Sequence, residues 1–561
     1  MKNILLLFLS LILLLSCLTS CSLLGIHLKV KNPPNAGVLP EFSQETILLG
    51  EMTKYRSCFD VQFYDLRLNI DPKNQYLEGK VEIHATAVTD FDTLQIDLHP
   101  NMDITQLVDK ATGEDLAFSR IERAVMVETP RKKGQRFTLV IDYDGSPKVA
   151  KKAPWKGGFV WKKDKQKNPW IGVACESEGA SIWWPLKDHT ADEPDSIRLH
   201  YTVPAPMVAV GNGTLEDTTE KDGFTTYTWF VSYPINTYNV TVYVGNFQLL
   251  EDSYSGIDGQ TLHINHYVLP ENYQKAKSHF TQLLPILKVF EDRFGAYPWY
   301  RDGFKLVESP YAGMEHQTAI AYGNKYKNDI GVDVDYIILH ETAHEWWGNS
   351  VTATDMADVW IQEGFASYAE ALFFEEVSGN AGYLNHMLFQ RLFIKNQYPV
   401  VGVTDRRWFH YKKSSDVYMK GSWILHTLRN QIDNDSLFWD IILTFAKSFQ
   451  YKLVNSQDFI QLVNQKTGSD YGWFFHQYLN EREVPQLAYA INKEGLMTYK
   501  WTNVKREFDQ LSINMTTGTK SVELLPTLES QSIQLEVSEK GKWDLVWDLD
   551  ALYAVGEEKQ L

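Results

Sequence analysis

The chain has 561 residues, enough for three or four domains with substantial hydrophobic cores. Its 54 Lys and Arg against 71 Asp and Glu give a formal charge of −17, which argues against nucleic acid as a partner. Two of its four cysteines, Cys58 and Cys175, lie beyond the N-terminal segment, which excludes a disulfide-rich scaffold. The sequence leaves open whether these two pair.

The N-terminal residues 1–20 combine a short basic end with an apolar run too short for a membrane span, as in a secretory signal. Leu18-Thr19-Ser20-Cys21 has the form of a bacterial lipoprotein cleavage box, and we expect cleavage before Cys21 and lipid attachment there. Cys17 and an ordinary signal are the alternatives. Residues 21–43 would tether the protein to the cell envelope. The lack of acidic residues after Cys21 favours a periplasm-facing anchor.

Residues 44–250 form a predicted N-terminal β domain. From about Thr53 onward apolar residues alternate with polar ones, as in Tyr64–Ile70 and Leu94–Leu98, which is typical of half-buried strands. Lysines and tryptophans are interleaved over residues 151–170. The acidity of the rest of the chain favours a surface hairpin with packed aromatic residues over an anion-binding patch.

Residues 251–484 show helical periodicity, whereas residues 485–561 return to alternation. We therefore predict an α+β multidomain protein with a mostly helical middle domain and a small C-terminal β domain.

His340, Glu341 and His344 provide the strongest chemical signal. Residues four apart lie one turn apart on one face of a helix, so both histidines can present a ring nitrogen to one metal ion. Glu363 falls on the next predicted helix and supplies a carboxylate. Two His and one Glu, with one position left for water, are the ligands of a catalytic zinc site. A pair of histidines on an ordinary amphipathic helix is the alternative.

These motifs resemble the gluzincin aminopeptidases, a family that includes aminopeptidase N and leukotriene hydrolase. The likeness runs from about residue 58 to residue 489 and rests on separate segments: Phe59-Asp60-Val61, Pro234–Tyr238, Val244–Phe247, His344–Asn349 and Gln362–Ala366. The resemblance implies a saddle-like N-terminal β domain, a thermolysin-like catalytic domain and a small β-sandwich-like C-terminal domain. It also implies one Zn²⁺ per chain and peptide substrates with free N-termini, and we expect a monomer.

Three further segments carry roles that the resemblance implies. Ala312-Gly313-Met314-Glu315-His316 is similar to the family's Gly-x-Met-Glu-Asn substrate-binding motif, with Ala and His replacing its first and last residues. By this resemblance Glu315 binds the substrate's α-ammonium group, and Glu176 provides a second anchor. Tyr418 begins an element similar to the family's Tyr-x-Lys-Gly. Its hydroxyl is expected to face the metal.

The implied reaction is removal of the N-terminal residue of a peptide. Zinc held by His340, His344 and Glu363 would activate a water molecule, and Glu341 would act as general base. Tyr418 would stabilise the oxyanion. The alternatives are a zinc endopeptidase, an epoxide hydrolase and an inactive peptide-binding lipoprotein. Many family members have a C-terminal helical domain that this sequence does not show, so we expect a more open cleft or a substitute cover.

Overall fold

The computed structural model describes residues 37–331, 333–408, 414–505, 508, 510–536, 543 and 545–558. The predicted signal, Cys21 and most of the predicted tether lie outside the described residues. Within the described part of the chain, none of the helices is both long enough and apolar enough to cross a membrane.

The first part of the structure is rich in β-strands, as predicted. Its strands are β1 Phe59–Asp71, β2 Tyr76–Ala87, β3 Phe91–Asp97, β4 Met102–Asp109, β5 Phe118–Ile121, β6 Ala124–Arg131, β7 Arg136–Gly145, β8 Gly158–Lys163, β9 Pro169–Ala174, β10 Ser196–Pro204, β11 Val208–Val210, β12 Thr214–Lys221, β13 Phe224–Val231 and β14 Tyr243–Gly245. A large sheet has the order β12-β13-β10-β1-β2-β7-β4, and smaller sheets have the orders β11-β14-β9-β8 and β3-β6-β5. Alternate residues of β1 are buried, because one face of the sheet covers the core.

Two short helices, α1 Gln44–Gly50 and α2 Lys54–Ser57, precede β1. The alternation pattern did not reveal them. Ser43 caps the first helix by accepting a hydrogen bond from the Thr46 backbone N–H at 3.2 Å. Residues 37–43, which the sequence assigned to the tether, lie against the catalytic part, where the Gly37 N–H donates to the Gln397 carbonyl at 2.8 Å.

The middle part contains a five-stranded sheet and most of the helices. Its strands are β15 Gln248–Ser255, β16 Thr261–Val268, β17 Leu306–Glu308, β18 Gly313–Met314 and β19 Ile320–Tyr322, followed by the pair β20 Val351–Ala353 and β21 Lys452–Val454. Its helices are α3 Tyr273–His279, α4 Leu283–Phe294, α5 Tyr336–Ala343, α6 Trp360–Arg391, α7 Asp416–Ile432, α8 Asp435–Ser448, α9 Ser456–Thr467 and α10 Gly472–Phe475. The sheet order β15-β16-β17-β19-β18 leaves β18 at an edge. The predicted boundary at residue 250 falls within β15.

Helices α6 and α7 cross at a pair of glycines. A Cβ placed on Gly364 would lie only 3.0 Å from the Cα of Gly421, so the two backbones meet without intervening side chains. Glu363 precedes the first glycine by one residue, and Tyr418 precedes the second by three. The crossing therefore fixes the distance between the helices that carry these two predicted site residues.

The last part consists of two small sheets. Their strands are β22 Gln486–Ile491, β23 Leu496–Thr502, β24 Ile513–Thr517, β25 Lys520–Leu524, β26 Gln531–Gln534, β27 Leu545–Trp547 and β28 Ala554–Glu557. The orders are β26-β23-β22-β28 and β25-β24-β27. Tyr489 of one sheet and Trp547 of the other have ring centroids 5.5 Å apart, so the two sheets touch. The predicted sandwich arrangement itself stays a prediction.

Candidate active site

Helix α5 carries His340 in its last turn, and His344 follows it directly as the C-cap. Asp335 caps its N-terminus by accepting from the Ile337 N–H at 2.9 Å. The helix ends at Ala343. The Trp346 and Trp347 N–H groups both donate to the Ala343 carbonyl, at 3.2 and 3.1 Å, which tightens the last turn.

The three predicted metal ligands converge. The Nε2 atoms of His340 and His344 lie 3.2 Å apart, and the Glu363 Oε2 lies 3.5 and 3.4 Å from them, respectively. All three residues are buried. The edges of a tetrahedron with ligand distances of about 2.0–2.1 Å are roughly 3.3 Å long, so these separations match three corners of a tetrahedral zinc site.

The partners of the two histidines fix which nitrogen faces this triangle. The His340 Nδ1 lies 2.7 Å from a carboxylate oxygen of Glu370, and the His344 Nδ1 lies 2.8 Å from the Trp347 carbonyl oxygen. Both Nδ1 atoms must therefore donate, and the Nε2 lone pairs are directed toward each other. A carboxylate that orients a ligating histidine in this way is typical of zinc sites.

Two features of these three residues fit a bound zinc ion. Two facing lone pairs repel at 3.2 Å unless a cation lies between them. The Glu363 Oε2 is buried and has no hydrogen-bond partner among the described residues. A buried carboxylate oxygen without a donor is costly, and a metal ion would satisfy it.

Glu341 lies beside the triangle, against the backbone of Gly313. A Cβ on Gly313 would overlap the Glu341 Oε1 and lie 2.8 Å from the Cδ1 of Ile337. Edge strand β18 thus packs directly on the helix that carries the histidines. Burial raises the pKa of Glu341 to about 8; His340 and His344 oppose that rise, whereas Glu315 adds to it.

Glu315, the last charged residue of the predicted substrate motif, faces the same cavity. Its Oε1 accepts a hydrogen bond from the Tyr238 hydroxyl at 3.2 Å, and its backbone carbonyl accepts from the Asn349 side chain at 2.9 Å. Three atoms lie within 4.8 Å of one another: a carboxylate oxygen of Glu315, a carboxylate oxygen of Glu341 and a ring nitrogen of His344. The predicted amine anchor therefore adjoins the predicted metal site.

Glu176 lies in the turn after β9 and reaches the cavity from the N-terminal β domain. Its Oε1 is buried without a hydrogen-bond partner among the described residues. Burial raises its pKa well above the ordinary value, and the carboxylates of Glu315 and Glu363 raise it further. Burial also raises the pKa of Glu315, and Glu363 adds to this rise while His344 opposes it. The carboxylates of Glu176, Glu315 and Glu363 therefore lie close enough to disfavour one another's ionisation.

His316, where the family motif has Asn, is used inside the fold. Its Nδ1 lies 2.6 Å from the Tyr243 hydroxyl oxygen, and that hydroxyl donates to the Ala319 carbonyl at 2.8 Å. The His316 Nδ1 is therefore the donor. Burial lowers the pKa of His316 to about 3, so the ring is neutral. The other departure, Ala312, accepts a hydrogen bond from the Gly323 N–H at 2.7 Å.

Tyr418 lies in the first turn of α7, on the metal side of the cavity. Its ring is stacked near His340, with ring centroids 6.1 Å apart and an interplanar angle of 29°. It is partly exposed, in contrast to the buried ligands. This position places the side chain at the border between the metal site and the open cleft.

Two residues of the site were not predicted from the sequence. Glu370 orients His340 and also contacts the His386 Nε2 at 2.8 Å. It lies seven residues after Glu363 on the same helix, and this spacing was a usable signal. Tyr238, which donates to Glu315, accepts from the Gln362 side chain at 3.0 Å. No local sequence pattern indicates that contact.

The basic and aromatic stretch 151–170 includes the hairpin of β8 and β9. Lys162 donates to the Pro310 carbonyl at 2.7 Å, and the Trp170 indole N–H donates to the Glu308 carbonyl at 2.9 Å. The hairpin thus supports the segment that leads into the substrate motif. Cys58 and Cys175 are both free and buried, which answers the question of their pairing.

The fold and the His-His-Glu triangle define a gluzincin-type protein. Comparison of the sequence with protein families agrees: the Peptidase M1 N-terminal domain matches residues 61–239, and the Peptidase family M1 domain matches residues 280–478. Together these matches cover more than half of the chain, which belongs to peptidase family M1. The resemblance seen in the sequence is confirmed.

Individual relatives are distant. A leucyl aminopeptidase from Saccharolobus solfataricus is 20% identical over 406 residues, covering 68% of this chain and 49% of the relative. Human endoplasmic reticulum aminopeptidase 1 is 22% identical over 434 residues, covering 70% of this chain and 44% of the relative. The chain thus spans about half the length of these curated relatives.

Among solved structures, an M1 zinc metallopeptidase from Deinococcus radiodurans has the same fold. It superposes with a TM-score of 0.64 at 23% identity, covering 78% of this chain and 96% of that chain. A mutant of that protein bound to the substrate Tyr-Ser-Ala gives a TM-score of 0.63 at 22% identity, covering 76% and 95% of the two chains.

Proposed function

We propose that this protein is a zinc aminopeptidase that removes N-terminal residues from peptides. The observation that carries the proposal is the pair of buried carboxylates, Glu176 and Glu315, beside the metal triangle. An endopeptidase has no use for two uncompensated carboxylates there, whereas a peptide's α-ammonium group would neutralise them. Tyr-Ser-Ala, the substrate of the similar Deinococcus metallopeptidase, is a short peptide of the proposed substrate class.

One zinc ion per chain, held by His340, His344 and Glu363, would polarise the scissile carbonyl and lower the pKa of a bound water molecule to about 7. Glu341 accepts the proton of the attacking water and delivers it to the departing amine. A carboxylate held beside the metal ligands suits this two-way transfer. Tyr418 donates a hydrogen bond to the oxyanion as negative charge develops.

The substrate's N-terminus would lie between Glu176 and Glu315. Tyr238 donates a hydrogen bond to one Glu315 oxygen and so orients the carboxylate that would accept from the ammonium group. Edge strand β18 offers backbone groups of Gly313 and Met314 on its unpaired side, so an extended peptide can add to the sheet there. In this arrangement the peptide bond after the first residue would lie next to the metal site.

The test compares aminoacyl anilides with free and acetylated N-termini. A charge-assisted hydrogen bond contributes about 1.5–3 kcal/mol, so the loss of two should lower kcat/KM by roughly 10²–10⁴-fold. Glu315→Gln should reduce this preference for the free amine. Glu345→Gln should keep it, because Glu345 lies two residues after the end of α5 and accepts hydrogen bonds from Thr318 and Tyr297. Equal kcat/KM values on both substrates would contradict the proposal and favour an endopeptidase.

We further propose a monomeric lipoprotein anchored in the bacterial cell envelope, facing the periplasm. The cleavage box ending at Cys21 supports this proposal. Cys21→Ser should abolish fatty-acid labelling and release the protein from the membrane fraction, while Cys17→Ser should do neither. Labelling of the Cys21→Ser variant would refute the assignment.

A further inference from the structure

The turn that carries Glu176 is held by buried charged side chains of its own β domain and by Arg407 from the catalytic domain. We call residues 175–181 the Glu176 turn. Within it, the N–H groups of Glu178 and Gly179 donate to the Cys175 carbonyl at 3.0 and 2.7 Å. These bonds close the turn, but the carbonyl of Glu176 itself takes no part in them.

Arg407 donates the hydrogen bonds that the Glu176 carbonyl accepts. Its Nε and Nη2 atoms both donate to the Glu176 carbonyl, at 3.3 and 3.0 Å, and its Nη1 donates to the Asp188 carboxylate at 2.8 Å. Arg407 and Asp188 are both buried. A fork of this shape fixes the carbonyl and the carboxylate relative to one another, which a lysine ammonium does not reproduce.

Asp188 connects this fork to the far end of the same turn. Its second carboxylate oxygen accepts from the Ser181 N–H at 3.0 Å. Arg123 donates to the Glu178 carbonyl at 2.5 Å and also forms an ion pair with Glu45. Glu176, Glu178 and Ser181 are thus each bonded through their backbones, and little freedom remains for the turn.

The segment around α1 completes the arrangement. The Arg407 N–H donates to the Thr46 carbonyl at 3.2 Å, and Gly50 packs against the backbone of Arg406 with no space for a Cβ. Glu45 of the same helix pairs with Arg123. Helix α1 therefore lies between the 397–408 loop and the β domain, where it contacts both Arg407 and Arg123.

We propose that Arg407 is a positioning residue for recognition of the substrate's free amine. It belongs to the catalytic domain, yet it fixes the backbone of the amine anchor that the β domain contributes. The inference rests on the proposed function of Glu176. Arg407 does not contact the substrate; it places the Glu176 carboxylate at the distance that an α-ammonium group bound to Glu315 requires.

Two hydroxamate inhibitors separate this role from a general loss of structure. Leucine hydroxamate has a free α-amine, whereas 4-methylpentanoyl hydroxamate has the same side chain and metal-binding group without the amine. We measure Ki for both in the zinc-loaded wild type and in Arg407→Gln. A displacement of about 1 Å costs roughly 10²-fold, so we expect the amine-bearing inhibitor to bind at least about tenfold more weakly to the variant. Binding of the other inhibitor should stay unchanged.

The neighbouring variant Arg406→Gln is the matched control. Arg406 bonds to the Asp405 carbonyl and lies 5.8 Å from the Phe42 ring, so its removal takes one charge from the same loop and leaves the Glu176 carbonyl bonds intact. It should keep the wild-type Ki for both inhibitors. The double variant Asp188→Asn/Arg407→Gln removes the buried ion pair as a unit, which avoids an unpaired carboxylate if the single variant unfolds.

The outcomes distinguish the two proposals. If the wild type binds both inhibitors equally, the amine anchor and the proposed function fail together. If the wild type prefers the amine but folded Arg407→Gln, or the double variant, keeps that preference, the role of Arg407 alone is overturned. Equal weakening of both inhibitors would also overturn it, because that result indicates a general structural effect.

Discussion

At the scale of single residues, Glu341, the proposed base, differs from Glu345 in position and in hydrogen-bond partners. Both are buried glutamates of the same stretch, and burial raises the pKa of each to about 8. Glu345 accepts bonds from the Thr318 N–H at 2.9 Å and the Tyr297 hydroxyl at 3.2 Å. Glu341 instead lies beside His344 and the backbone of Gly313.

Glu341→Gln should abolish turnover and keep the metal. The amide has the same shape but accepts no proton at this step, so we expect kcat to fall by at least about 10²–10⁴-fold with unchanged zinc content. Steady-state kinetics and metal analysis on one sample measure both. Glu345→Gln, the matched control, should keep most activity because the amide replaces a carboxyl whose role is to accept hydrogen bonds. Turnover by Glu341→Gln at the wild-type rate would refute its role as base.

Tyr418→Phe should lower kcat by about 10²–10³-fold with little change in KM, because the hydroxyl acts only when the oxyanion forms. Tyr336→Phe is the control. The Tyr336 ring also stacks on His340, with centroids 5.2 Å apart, so the same atom is removed beside the same ligand. If both variants lose activity equally, the effect belongs to ring packing around His340 and the oxyanion role is wrong.

At the scale of elements, the site depends on close backbone contacts at glycine residues. Gly364 and Gly421 let α6 and α7 approach closely, and Gly313 lets β18 lie on the helix that carries His340. These glycines set the spacing of Glu363, Tyr418 and Glu341. Each contact joins segments far apart in sequence, so a small substitution at one of them acts on several catalytic groups.

Gly313→Ala should inactivate the enzyme without unfolding it. The new Cβ would meet Glu341 Oε1 and Ile337, which must shift, and a displaced base costs roughly 10²-fold in kcat. Circular dichroism and kcat measured together check this expectation. Gly472→Ala is the control, since a Cβ there meets only the Asp470 side chain, at 2.9 Å. A fully active Gly313→Ala variant would contradict this expectation, because it would show that β18 and α5 can move apart without a loss in kcat.

The sequence predicted the elements of the site better than their connections. His340, His344 and Glu363 follow from helical spacing and ligand chemistry, and the β-rich and helical parts follow from the periodicity of apolar residues. The fork from Arg407 to Glu176 joins residues 231 positions apart, and no local pattern marks it. Helix α1 was missed because its stability comes from packing against the 397–408 loop.

At the scale of the whole molecule, the site is assembled from parts that each contribute a buried carboxylate. The β domain contributes Glu176, the residue after edge strand β18 is Glu315, and two helices carry Glu341 and Glu363. Burial raises the pKa of Glu176, Glu315 and Glu341, and the neighbouring carboxylates raise it further, so folding opposes their ionisation. A bound divalent cation would reduce the repulsion between these carboxylates, and the stability of the fold should therefore depend on the metal.

Removal of zinc with a chelator should lower the melting temperature as well as abolish activity. A ligand at 100 times its Kd stabilises the folded state by about 2.7 kcal/mol, and relief of carboxylate repulsion is part of that binding energy. Calorimetry before and after dialysis, followed by addition of one equivalent of Zn²⁺, measures the loss and its recovery. His344→Ala, which lacks one corner of the triangle, should show a much smaller zinc-dependent shift. An equal shift in this variant would place the stabilising ion elsewhere, because a site reduced to His340 and Glu363 cannot bind zinc with the same affinity.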